Sequence, residues 1–146
     1  MTISLDVIIT NSFYNNMVDD EKRVAIWSKM TTVAGKDERK YRLDACGALM
    51  DWDKYGDRQN DNGWEVDHVV PKTLLSKKEV PEDEIDDEIN LRPMQWQNND
   101  SKSSDYPEYQ ASVKYEGGKN VAQNGVYEVN KELQRILQKK YSKYGL

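Results

Sequence analysis

The sequence predicts an α+β fold, on three observations. Two short runs rich in β-branched and aromatic residues, Trp64-Glu65-Val66-Asp67-His68-Val69-Val70 and Asn90-Leu91-Arg92-Pro93-Met94-Gln95-Trp96, read as strands. The stretch 124–144 carries Val126, Val129, Leu133, Ile136, Leu137 and Tyr141 at helical spacing. Four Trp and nine Tyr in 146 residues supply the bulky apolar area that a disordered chain lacks, at a length suited to one domain.

The elements follow in order. Residues 3–9 alternate loosely and predict a short strand. Asp19-Asp20-Glu21 place acids at the positive end of a helix, with Val24, Trp27 and Met30 on one face and Gly35 as its stop. The apolar residues Leu43, Cys46, Leu49, Met50 and Trp52 precede a turn cluster running from Asp53 to Gly63, which reads as a hairpin turn. The first strand run then ends at Pro71. An acidic loop spans 76–89, and the second strand is interrupted by Pro93. Asn98 to Asp105 suit about two helical turns, and Pro107 discourages continuation. On the final helix, Lys131, Arg135, Lys139 and Lys143 recur every four residues opposite the apolar stripe. Such a row is either a solvated face or a ridge that follows a phosphate backbone.

Charge and composition narrow the function classes. Net charge is −5, but Glu79–Glu88 holds seven acids and no base, so the remainder of the chain carries +2. The acidity is local and does not exclude a nucleic-acid partner. No apolar run approaches the roughly 18 residues of a membrane span. Val7-Ile8-Ile9 is too short for a signal core, and a single cysteine allows neither an internal disulfide nor a Cys-x-x-Cys zinc knuckle. The expectation is a soluble, cytoplasmic protein.

His68, the only histidine, follows Asp67; Asn90 comes 22 residues later, Asn99 nine after that, and Lys102 three further on. A strand, a loop, a strand and a helix start can gather that carboxylate, imidazole, pair of amides and ammonium. The stretches Gly63–Pro71 and Asn90–Lys102 resemble the HNH endonuclease family, whose core is the ββα-metal motif. Asp44-Ala45-Cys46-Gly47-Ala48 and Tyr55-Gly56-Asp57 look like the lead-in of bacterial and phage members. The resemblance covers about 44–105, which leaves residues 1–43 as an N-terminal extension and 106–146 as a C-terminal helical extension of a single domain.

The resemblance implies a metal-dependent endonuclease that hydrolyses DNA phosphodiester bonds. It makes His68 the general base, has Asn90 brace the loop that aims the imidazole, makes Asp67 and Asn99 metal ligands, and has Lys102 contact phosphate. Lys131, Arg135, Lys139 and Lys143 would add phosphate affinity. An unperturbed imidazole titrates near pKa ~6.5 and can accept a proton at neutral pH. A carboxylate and an amide oxygen suit one hard cation, Mg2+ or Mn2+, ahead of the Zn2+ or Ni2+ favoured where family members have His in place of Asn99. Neighbouring strand residues face opposite ways, so Asp67 and His68 can share a site only if the strand bends, as Pro71 allows.

Other readings stand beside this one. The acidic loop is short and Gly-rich in many family members, so the chain is alternatively a catalytically inactive HNH-fold binding protein, an inhibitor or DNA mimic that engages a basic partner through residues 79–88. Asp51–Gly56 looks briefly like a calcium-binding EF-hand loop, but Tyr55 spoils its fifth position and Asn62 its twelfth. Cys46 with His68 would suggest a thiol hydrolase, yet Cys46 reads better as a buried small residue. The four Trp read as core, with Trp64 and Trp96 flanking the motif.

Overall fold

The computed structural model describes residues 20–146, so the strand expected over 3–9 lies outside the described residues. Helix α1 covers 20–27. It buries Ile26 and Trp27 but leaves Val24 half exposed, so its inward face is rotated from the expected stripe. Trp27 sets that rotation by packing against Trp52 and Trp64, with ring centroids 5.4 and 5.1 Å away.

Strands β1 (Thr31–Thr32), β2 (Tyr41–Leu43) and β3 (Leu49–Asp51) form an antiparallel sheet in that order. Asp44 organises the β2–β3 turn. Its buried carboxylate accepts the N–H groups of Cys46 and Ala48 at 2.9 Å each, and the Gln95 N–H and Asn98 amide at 3.0 Å each. The segment after β3 is not the expected hairpin. It makes a 3-10 turn at Trp52–Lys54 and closes on itself, with Asp51 N–H donating to Asn62 O and Gly56 N–H to Trp64 O. Tyr55 therefore meets Trp64 as an isolated parallel bridge, and β3 pairs only with β2.

Strands β4 (Trp64–His68) and β5 (Leu91–Gln95) pair antiparallel, with Asp67 opposite Arg92 and His68 opposite Leu91. Pro93 does not interrupt β5, because a two-stranded sheet leaves each strand an edge that tolerates a missing N–H. The connection between the strands is largely helical rather than a loop. It holds α2 (Lys72–Lys77), α3 (Glu82–Ile85) and a 3-10 turn at Glu88–Asn90. Pro71 and Pro81 directly precede the two helices, Glu82, Asp83 and Glu84 fill the first turn of α3, and Leu75, Val80 and Ile85 turn into the core.

Helix α4 (Trp96–Lys102) starts at once after β5, two residues ahead of the expected start. Gln95 caps it by accepting from the N–H groups of Gln97 and Asn98. Strands β6 (Glu108–Glu116) and β7 (Lys119–Glu128) form a third antiparallel sheet that packs on α4. The helix expected from 124 begins only at Lys131, as α5 (Lys131–Tyr141), with Asn130 as its N-cap. Residues 119–128 are a strand instead, and Val126, counted in the helical stripe, points outward at 69% exposure. Leu137 and Tyr141 bury α5 against Leu75, Val80 and Ile85.

No backbone ladder joins the three sheets. Side-chain amides do so instead. Asn120 of β7 accepts from Leu49 N–H and donates to Leu49 O, at 2.7 and 2.9 Å, as a peptide group would. Asn98 of α4 accepts from Ser112 and Val113 N–H and donates to Val113 O. Among the described residues, no helix is long and apolar enough to cross a membrane.

Candidate active site

The pleat of β4 sorts the motif residues onto two faces. Glu65 and Asp67 face α4. Asn99 Nδ2 donates to Glu65 Oε1 at 3.0 Å, and Lys102 Nζ lies 3.3 Å from Asp67 Oδ1. His68 turns the other way, with Nε2 2.7 Å from Asp86 Oδ1 on the residue that ends α3. The strand does not bend enough to put the two neighbouring side chains on one face. They meet at an edge: Asp67, His68 and Asn99 all border a cleft of about 210 Å³ that also touches Lys72, Thr73 and Ser104. His68 and Asp86 border a second, larger cleft with Lys22, Arg23 and Tyr55, of about 680 Å³.

Asp67 is buried and doubly paired. Arg92 Nε donates to its Oδ2 at 3.0 Å, in addition to the Lys102 contact. The register explains Arg92, which stands directly across the sheet from Asp67. Lys102 has no exposed surface and also donates to the His68 carbonyl at 3.2 Å. Burial lowers its pKa, and the Asp67 charge pulls the other way. One anion thus faces two cations, and Arg92 Nη2 is buried without a hydrogen-bond partner among the described residues. Lys102 is a strut inside the site rather than the phosphate contact that its motif position suggested.

Asn90 is fully buried and ties the site's two sides together. Its Oδ1 accepts from Val70 N–H at 2.8 Å, and its Nδ2 donates to Val70 O and Ile85 O at 3.1 Å each. The turn after His68 is thereby fixed to α3, whose next residue is Asp86, the partner of the imidazole. Glu65 completes the α4 side. Burial pushes its carboxyl up, but hydrogen bonds from Arg58 and Asn99 overcome this and hold it below the usual range. Arg58 also spans to Asp100.

The residue types expected to hold a cation, a carboxylate and an amide, keep free acceptor capacity. The Asn99 Oδ1 accepts no hydrogen bond from the described residues, and each Asp67 oxygen keeps a lone pair beyond the one its ion pair uses. Both residues border the same cleft. Among the described residues no group of three or more His, Cys, Asp or Glu gathers for a metal, so the softer multi-imidazole arrangement is not what these side chains offer. Two nearby cations work against metal affinity, which a phosphate ligand would offset.

The remaining candidates lie elsewhere. On α5, Lys131 pairs with Glu128 and Arg135 with Glu132, while Lys139 stays exposed; Lys143, in the 3-10 turn that follows, pairs with Glu84. These contacts make much of the row a solvated face paired with its own acids. The acidic segment is also largely engaged: Glu82 with Lys72, Glu84 with Lys143 and Tyr144, Asp87 with Lys140, and Glu88 with Lys29. Cys46 is buried, and burial beside Asp44 pushes its thiol up to about 12, which leaves it no nucleophile at neutral pH.

Sequence reasoning missed Asp86, Arg92 and Lys72. Asp86 was hidden among seven acids. Arg92 would have emerged from pairing the two strand runs, since either offset is fixed once His68 and Leu91 face each other. Comparison with family models, with curated proteins and with solved structures finds no match to this chain.

Proposed function

We propose that this protein is an HNH-type endonuclease that hydrolyses the DNA phosphodiester backbone with a histidine general base and one divalent cation. The observation that carries the reading is the order β4, β5, α4, with α4 following β5 directly and Asp67, His68 and Asn99 bordering one cleft. Strand, strand and helix in this order, with these three residue types at one edge, support the ββα-metal reading that the sequence suggests.

The chemistry follows from the side chains. An ionised Asp86 can only accept, so the proton of the imidazole sits on Nε2 and leaves Nδ1 as the base. Nδ1 takes a proton from the water that attacks phosphorus. Asn90 keeps the turn after His68 from moving, so the imidazole loses little orientation between turnovers. Asp67 and Asn99 would hold the cation, which when bound supplies charge stabilisation at the phosphate and leaving oxygen. Arg92 and Lys102 hold the Asp67 carboxylate in one orientation.

The test is plasmid cleavage with Mg2+, Mn2+, Zn2+ or Ni2+ in turn, each against a chelator control. Wild-type protein nicks the plasmid with Mg2+ or Mn2+, and His68→Ala loses about a hundredfold or more of that rate, the usual worth of a general base. Circular dichroism of His68→Ala matches wild type. Folded protein that cuts with none of these cations would overturn the reading. The alternative, a binding protein acting through residues 79–88, predicts instead that neutralising Glu82, Asp83, Asp86 and Asp87 abolishes function while His68→Ala does not.

A further inference from the structure

The burial of Lys102 leaves the catalytic cleft without the cation expected to meet phosphate there. The cleft nevertheless has another one. Lys72 borders it with Thr73, Ser103 and Ser104. Lys72 and Thr73 open α2, while the two serines leave α4. Ser103 takes φ +49, which turns the chain away from the helix axis and brings Ser104 Oγ within 3.5 Å of Thr73 Oγ1. Lys72, Thr73, Ser103 and Ser104 thus border the same cleft as Asp67, His68 and Asn99.

Building on the nuclease reading, we infer that Lys72, Thr73 and Ser104 form the seat for a DNA phosphodiester group, with Lys72 taking the role that the motif position of Lys102 suggested. Lys72 is suited to it because its present partner is easily exchanged. It lies 3.2 Å from Glu82, with both side chains at least half exposed, and an exposed pair of this kind is weak and screened by salt. A phosphate oxygen offers the ammonium a stronger, charge-assisted bond. The hydroxyls can donate without adding charge, so they hold the group in register while Lys72 supplies the attraction. Lys102 cannot do either, since its ammonium is committed to Asp67 and the His68 carbonyl. Inorganic phosphate shares this chemistry with the DNA backbone, and the two are separated by the assay.

The experiment measures binding of a short labelled duplex by fluorescence anisotropy, in chelator, across a salt series. Wild type, Lys72→Met, Thr73→Val and the β6–β7 turn control Lys119→Met are compared. Loss of one phosphate contact lowers the slope of log affinity against log salt by about 1, so Lys72→Met is expected to show that change and about tenfold weaker binding near 0.1 M salt. Thr73→Val is expected to weaken binding about threefold with the slope unchanged, since it removes a donor but no charge. Lys119→Met changes neither. Inorganic phosphate at millimolar concentration competes with the duplex if the seat takes the phosphate group alone, and fails to compete if it needs the flanking strand. Equal binding by wild type and Lys72→Met, or no binding of duplex by wild type, overturns the seat. The cleavage assay is scored separately. Normal cleavage with an unchanged KM in Lys72→Met would keep the nuclease and remove the seat, whereas binding that depends on Lys72 without cleavage under any cation would keep the seat and remove the nuclease.

Discussion

At the scale of single residues, the described chain depends on a few buried polar groups that have all their partners. Asp44 is the clearest case, with four N–H donors on its two oxygens. Burial pushes its carboxyl up, and the four donors resist. Asp44→Asn places an NH2 group against two of those donors. We expect it to cost about 2–4 kcal/mol in urea denaturation, the range for a buried network left half satisfied. His68→Ala removes a side chain that is partly exposed, and no comparable loss follows. Of the single residues, the sequence singled out His68, Asp67, Asn90 and Asn99 because their types and order resemble a family motif, and the structure brings Asp67, His68 and Asn99 to the border of one cleft. It hid Asp86 and Arg92, because their importance comes only from what they face.

At the scale of elements, the strands and short helices near the site were readable from local chemistry. The run 64–68 is β-branched and aromatic and becomes β4, and Leu91–Gln95 becomes β5. The last segment was misread because valines and tyrosines spaced for a helix also suit a two-sided strand. Burial alternates along β7, and only the Asn130 cap marks where α5 begins. The acidic stretch was misread as a loop because its charge masked Leu75, Val80 and Ile85, which anchor two helices. The entry to β4 offers a sharp test. A Cβ on Gly63 would lie 1.8 Å from the Asp57 carbonyl oxygen, and the Gly63 carbonyl accepts the Trp96 N–H that opens α4. Gly63→Ala is expected to destabilise by about 1–3 kcal/mol, as overpacking against rigid backbone does, and to lower the melting temperature accordingly. An unchanged melt would show that the turn relaxes freely.

At the scale of the whole molecule, two core clusters divide the work. Trp27, Met50 and Trp64 form one, and the larger gathers Leu75, Val80, Ile85, Met94, Leu137 and Tyr141. Tyr141 closes the larger one and donates to the Glu84 carbonyl at 2.6 Å. Tyr141→Ala is expected to cost about 3–5 kcal/mol, the range for deleting a buried aromatic side chain. That is a large share of the 5–15 kcal/mol typical of a domain. The indole fluorescence of the first cluster and the far-ultraviolet circular dichroism should melt together in this variant, since β4 carries Trp64 of the first cluster and its partner strand β5 carries Met94 of the second; separate transitions would show that the clusters unfold independently. None of this coupling was legible in the sequence, because it joins residues distant along the chain, Tyr141 to Glu84 among them, through side chains that have no periodic signature.

The amides that stitch the sheets have a consequence for how the molecule ages. Asn98 and Asn120 each use their NH2 group to reach a carbonyl oxygen. Hydrolysis of either of them to aspartate would turn that donor into an anionic acceptor facing an acceptor, and the seam it closes would be pushed apart rather than merely loosened. Asparagine is among the least heat-durable side chains. Were such hydrolysis to occur on prolonged warming, the seams between the small sheets are where its damage would be read.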